Sequence, residues 1–213
     1  MPEEHPPDLS LFLDILRTLE SIGAPYMVIG AFAATIYGST RTTYDIDIVV
    51  ELGEEHIEAL VHAYLPPRYY ADPIQMRDSI RRGIMFNIID TSRGEKADLV
   101  PLTMDPRYGE AFQRRLRQTV ELPASEPFEI WCAHPEDIIV GKLMAWAEGK
   151  SRKHETDIYE MMVFQYLAVD SEQGTALDEA FLDEQAGALG TDVASLWEAI
   201  KDAARREAIR SNS

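Results

Sequence analysis

Two hydrophobic rhythms divide the chain near residue 133, and that division constrains its fold more than any other feature. Before it, short runs rich in β-branched residues interleave with stretches at helical spacing; after it, only helical spacing continues. Leu9, Phe12, Leu13, Leu16 and Leu19 give residues 8–22 a helical rhythm that stops at Gly23. Residues 26–29 read as a buried strand, 31–37 as a small helix closed by Gly38, 43–50 as a strand and 54–64 as a helix. Residues 84–89 and 96–102 read as two strands joined by the turn Thr91-Ser92-Arg93-Gly94. A helix over 107–116 and strands at 119–122 and 128–132 follow. His134-Pro135-Glu136-Asp137 then opens a helix, with proline at its first position and acids in its first turn. From there to residue 210 the chain reads as four helices. The expected architecture is α/β (α+β): a small mixed sheet with flanking helices over residues 1–133, then a helical portion over 134–213.

Composition removes several classes of function. With 46% hydrophobic residues the chain can bury a real core. A single cysteine, Cys132, precludes an intrachain disulfide and fits a reducing compartment. The first seven residues lack the basic start and apolar run of a secretion signal, and no apolar run is long enough to span a membrane. A cytoplasmic protein is expected, with no membrane partner. The net charge of −17 disfavours duplex DNA, which is bound through lysine and arginine. The charge is uneven, however. Thirteen of the 20 basic residues lie between Arg77 and Lys153, so a local basic face for a phosphate-rich ligand remains open.

The chemistry-bearing stretch runs from Gly30 to Val50. On a strand, Asp45 and Asp47 share one face while Ile46, Ile48 and Val50 share the other. Two carboxylates about 7 Å apart along a strand face can grip Mg²⁺ through oxygen. Gly30 and the helix start after it offer backbone N–H groups that suit a triphosphate. Each piece alone is ordinary, since Asp-x-Asp on a strand is usually its wet face and a glycine after a strand is usually a turn. The conjunction of strand, glycine, short helix, Arg41-Thr42-Thr43 and Asp45-Ile46-Asp47 carries the reading.

At these residues the sequence resembles the nucleotidyltransferase (polymerase-β-like) superfamily. That superfamily's signature is Gly-[Gly/Ser], about a dozen residues, then Asp-x-[Asp/Glu]. The finer pattern of Gly30, Tyr37-Gly38, Arg41-Thr42-Thr43 and Asp45-Ile46-Asp47 is similar to the AbiEii-type branch associated with toxin–antitoxin and phage-defence loci. Pro135-Glu136-Asp137-Ile138-Ile139, Lys142-Leu143 and Arg152-Lys153-His154 with Asp157-Ile158-Tyr159-Glu160-Met161 resemble the same branch. So do Phe181-Leu182, Leu189-Gly190 and Leu196-Trp197-Glu198-Ala199.

The resemblance implies a nucleotidyltransferase fold over residues 1–133. It also implies a third catalytic carboxylate on a later strand, and Asp98 matches that position. Asp90 competes for it but leads straight into a turn, which suits turn initiation. Asp45, Asp47 and Asp98 are thus the expected catalytic residues and ligands of Mg²⁺ (or Mn²⁺). Gly30, Ala31, Arg41, Lys142, Lys153 and Asp157 are the expected nucleotide-binding residues. Ala31 stands where the family commonly has glycine or serine, so a hydroxyl donor is missing while the N–H stays. Arg41 either reaches the triphosphate or pairs with Asp45 or Asp47. Lys142 as an exposed helix lysine, and Lys153 with Asp157 as a surface pair at i and i+4, are the plain structural alternatives.

The implied activity is Mg²⁺-dependent transfer of a nucleoside monophosphate from an NTP to a hydroxyl, with pyrophosphate released. The acceptor class is open between RNA, protein and small molecule, an aminoglycoside-type acceptor among the last. The alternative is a non-catalytic nucleotidyltransferase-fold binding module. Either way a cognate toxin or antitoxin is the expected protein partner.

Overall fold

The computed structural model describes residues 10–41, 43, 46–120, 126–168 and 177–211. Two compact units make up its mixed α/β architecture. Described residues among 1–32 and 42–133 form the first, and those among 33–41 and 134–213 the second.

In chain order the first unit contains α1 (Ser10–Ser21), β1 (Tyr26–Ile29), the start of α2 (Gly30–Ile36), β2 (Asp47–Val50) and α3 (Glu54–Ala63). There follow β3 (Tyr69–Tyr70), α4 (Pro73–Arg82), β4 (Phe86–Asp90), β5 (Glu95–Pro101), a 3₁₀ turn (Leu102–Met104), α5 (Pro106–Gln113), β6 (Leu116–Val120) and β7 (Phe128–Cys132). The sheet order is β3-β4-β5-β2-β1-β7-β6. β1 runs antiparallel to β2 and parallel to β7; β2 runs parallel to β5, and β4 antiparallel to β5. Ile48 and Val50, Ala97 and Leu99, and Phe86 and Ile88 lie in register on one face and are all buried. α1 lies against β5 and α3 and buries Leu11, Phe12, Ile15, Leu16 and Leu19. Each such side chain contributes about 1.5–3 kcal/mol on leaving water.

The strands expected at 84–89 and 96–102 appear as β4 and β5, shifted by one or two residues. The strand expected at 43–50 appears as β2 only from Asp47: Thr43 and Ile46 lie in no strand, and Tyr44 and Asp45 lie outside the described residues. α4 was missed by the hydrophobic rhythm, which is thin there: Met76 is buried but Ile74 is 74% exposed. Its start and stop are written in the chain all the same. The Asp72 carboxylate accepts from the Ile74 N–H at 2.8 Å, Pro73 takes the first turn, and Gly83 closes the helix at φ +63°. The helix expected over 107–116 stops at Gln113, since pairing with β7 draws Leu116–Val120 into the edge strand β6. The strand expected at 119–122 therefore lies further toward the N-terminus, with residues 121–122 outside the described set.

The second unit holds α6 (Pro135–Gly149), α7 (Arg152–Ala168), α8 (Glu179–Leu189) and α9 (Thr191–Ser211), the four helices expected from the spacing. Ile139, Leu143, Ile158, Met161, Met162, Leu182, Val193 and Trp197 form its core. Trp197 Nε1 donates to Asp183 Oδ1 at 2.6 Å, so the buried indole is satisfied. Residues 33–41, expected within the α/β portion, pack here on α7. The Thr40 N–H and hydroxyl donate to Glu160 at 2.7 and 2.8 Å. At Gly38 a Cβ would lie 2.3 Å from Phe164 Cβ, so only glycine allows this approach. Among the described residues no helix is long and apolar enough to cross a membrane.

Candidate active site

Asp47 opens β2, and the register sets its neighbours on both sides. Across the antiparallel pair it faces Ile29, the residue before Gly30; across the parallel pair it faces Asp98. Directly paired residues on adjacent strands point to the same face, so the two carboxylates stand side by side about 5 Å apart at the backbone. Gly30 has φ +74°, and a Cβ built there would lie 2.2 Å from Asp47 Oδ2. α2 is only seven residues long, so a helix dipole adds little; what Gly30 supplies is room beside a carboxylate oxygen. Ala31 follows it in the first turn of α2.

Asp98 is held from two sides on the same face. Asn87, directly opposite on β4, donates through Nδ2 to Oδ1. Lys96 Nζ donates to both oxygens at 3.1 Å. Tyr108, on α5, feels the charge of Asp47: burial first, then the charges of Asp105 and Asp47, push its phenol above the ordinary range. Asp45 lies outside the described residues. Among the described residues no group of three or more carboxylates, histidines or cysteines is arranged to hold a metal. The pair nevertheless fits a hard divalent cation, because it offers oxygen donors on one face with a cradle that any side chain at position 30 would fill.

Asp90 is placed differently. It lies three residues beyond Asn87 on β4 and so faces away from Asp98. Its carboxylate takes the Ser92 hydroxyl at 2.6 Å, Arg68 Nη2 at 2.9 Å and the Ser92 N–H at 2.9 Å. The Ser92 hydroxyl first, and the Arg68 guanidinium after it, hold its pKa down to about 2. That depression makes a stability contribution present above the unfolded value near 4 and lost as pH falls toward 2. Asp90→Asn should therefore be less stable than the parent at pH 6, with the gap narrowing steadily from pH 4 to pH 2. Urea midpoints measured across that range check it.

The other expected nucleotide-binding residues gather in the second unit. Asp157 is fully buried and accepts from Lys142 Nζ, from Arg41 Nε at 3.1 Å and from Ser39 Oγ at 3.2 Å. Burial alone would raise the Asp157 carboxyl, but the hydrogen bonds and charges of Lys142 and Arg41 hold it below its usual range. Burial pushes the Lys142 ammonium down; the residue is only 5% exposed. The plain alternatives fail on both points. Lys142 is not a surface lysine, and Asp157 pairs with Lys142 and Arg41 across the fold rather than with Lys153 one turn away. Arg41 meets Asp157, a partner 116 residues away that no local spacing marks. Lys153 is exposed. Beside it His154 Nδ1 is buried with no hydrogen-bond partner, and burial together with Lys153 and Lys142 lowers the ring's pKa.

No curated protein matches this chain. An antigenic nucleotidyltransferase-like protein from Paracoccidioides brasiliensis aligns at 18% identity and TM-score 0.48, over 91% of this chain and 92% of its own. The antibiotic-resistance factor ANT(2'')-Ia, a solution structure, aligns at 16% identity and TM-score 0.41, over 96% and 94%. The family described as nucleotidyl transferase AbiEii toxin, type IV toxin–antitoxin system, matches residues 17–211. That match takes in Gly30, Asp47 and Asp98 together with Lys142 and Asp157. The chain therefore belongs to the AbiEii family of nucleotidyltransferase toxins and is an enzyme of nucleotidyl transfer.

Proposed function

We propose that the protein moves a nucleoside monophosphate from an NTP to a hydroxyl acceptor with a divalent cation, Mg²⁺ or Mn²⁺, held by Asp47 and Asp98, Asp45 being the expected third ligand. The observation that supports it is the in-register pairing of Asp47 with Asp98 beside a glycine whose Cβ would strike Asp47. A cation bound there supplies positive charge against the phosphate oxygens and acidifies the acceptor hydroxyl. Asp47 and Asp98 orient that charge, and Gly30 keeps the approach to Asp47 open. Asp98 takes the hydroxyl proton as the acceptor oxygen bonds to the α-phosphorus and the bond to the bridging oxygen breaks, releasing pyrophosphate. The acceptor is RNA, a protein or a small molecule, and a cognate antitoxin restrains the enzyme in the cytoplasm.

Ala31, Arg41, Lys142, Lys153 and Asp157 are proposed to serve the nucleotide in two ways. Ala31 offers its backbone N–H and Lys153 an exposed ammonium. Arg41, Lys142 and Asp157 lock one another in place. Incubation with each α-labelled NTP, Mg²⁺ and a cell extract tests the proposal. Label should enter one macromolecular or small-molecule fraction, with pyrophosphate appearing in step. No labelled product from any of the four NTPs would refute it.

A further inference from the structure

Asp98 has two neighbours of different chemistry on its own sheet face. Asn87 stands directly opposite it in the antiparallel β4–β5 pair. A carboxylate only accepts hydrogen bonds, so the Asn87 amide must present its NH₂, and Nδ2 donates to Oδ1. Lys96 lies two residues earlier on β5, hence on the same face, with Nζ at 3.1 Å from both oxygens. The Asp98 side chain is 12% exposed and that of Lys96 52%, so the ammonium caps the carboxylate from the solvent side.

A divalent cation at Asp98 would treat these neighbours in opposite ways. The Asn87 bond occupies only one lone pair of Oδ1 and fixes the carboxylate's plane for a ligand. Lys96 spans both oxygens, so it fills the sector a cation needs and repels any second positive charge. The long flexible stem lets it swing away into water.

We propose that Asn87 and Lys96 set the cation affinity of this site in opposite directions, Asn87 holding Asp98 in its ligating orientation and Lys96 acting as an internal cation that must leave when a divalent ion enters. This rests on the metal reading above. A lysine that merely decorates the strand would not make the two substitutions differ in sign.

Mn²⁺ titration of the nucleotide-free protein, followed by calorimetry and by the Mn²⁺ spin-resonance signal, reads the effect without any turnover. Lys96→Gln should bind Mn²⁺ about three- to tenfold more tightly than the parent, the range expected for releasing a partly exposed ion pair and its repulsion. Lys96→Arg keeps the charge and should bind no tighter than the parent. Asn87→Leu should bind about tenfold more weakly, as loss of a group supporting a metal ligand does. Position 96 is exposed enough to tolerate change, so the Lys96 pair decides the matter even if Asn87→Leu folds poorly. A parent that binds Mn²⁺ with Lys96→Gln equal to it or weaker would overturn this assignment alone. A parent that binds no Mn²⁺ would overturn both it and the metal reading.

Discussion

Asp47→Asn should reduce nucleotidyl transfer by about a thousandfold or more while the protein stays folded. Removing a metal ligand's charge forfeits several kcal/mol of transition-state stabilisation, at about 1.4 kcal/mol per decade of rate. Asparagine keeps the volume, and Asp47 sits at the half-buried start of β2, so packing is undisturbed. Two like charges about 5 Å apart repel by about 3 kcal/mol at an effective dielectric of 20, an upper figure here because Lys96 already faces Asp98. The variant should therefore melt no lower than the parent without metal, and should lose the parent's stabilisation by Mg²⁺ with NTP. Gly30→Ala separates space from charge at the same place. It leaves Asp47 ionised but drives a methyl onto its Oδ2, and misplacing a reacting group by about 1 Å costs about a hundredfold. Its φ of +74° adds about 1 kcal/mol of backbone strain. Steady-state rates and melting midpoints on both variants check these outcomes; an Asp47→Asn protein as fast as the parent would remove the site.

Asp157→Leu should cost about 3–5 kcal/mol of stability. The reason is what it leaves behind. Lys142 is 5% exposed and would be left buried with its anion gone, at a cost whether it keeps its charge or gives up its proton. Arg41, whose side chain is 37% exposed, can turn to water; Lys142 cannot. The double variant Lys142→Met/Asp157→Leu should recover most of the loss, since apolar residues of similar volume replace a buried ion pair at little net cost. The carboxyl of Asp157 lies below its usual range, so its contribution is present above pH 4 and fades as pH falls below the unfolded value. Urea unfolding of parent, single and double variants measures all of this. A single variant as stable as the parent would mean that Lys142 finds another anion.

Some of this was readable in one dimension because it is local or periodic. β1, the glycine turn into α2 and the four helices from Pro135 onward follow from spacing, caps and turn residues. The placing of Asp98 within a strand and of Asp90 at the head of a turn was also partly readable, since strand alternation and turn residues belong to the sequence itself. α4 shows the limit of relying on rhythm: its cap signals at Asp72, Pro73 and Gly83 were present, but its apolar stripe is too sparse to announce a helix. The start of β6 at Leu116 was not readable, because an edge strand takes its extent from the partner it pairs with.

What the chain alone determined is the inventory: which stretches become strand or helix, and which carboxylates sit on strands beside a glycine. Only the tertiary structure decided the pairings. That β2 lies between β1 and β5 brings Asp47 to Asp98 across 51 positions, and it is register, not spacing, that aligns them. The tie from Arg41 to Asp157 spans 116 positions and leaves no periodic trace, since an ion pair needs one partner of each sign at a single point in space. Backbone preference acts over a few residues and is written in order along the chain. Burial and charge pairing act across the folded body, where neighbours are chosen by how the layers close.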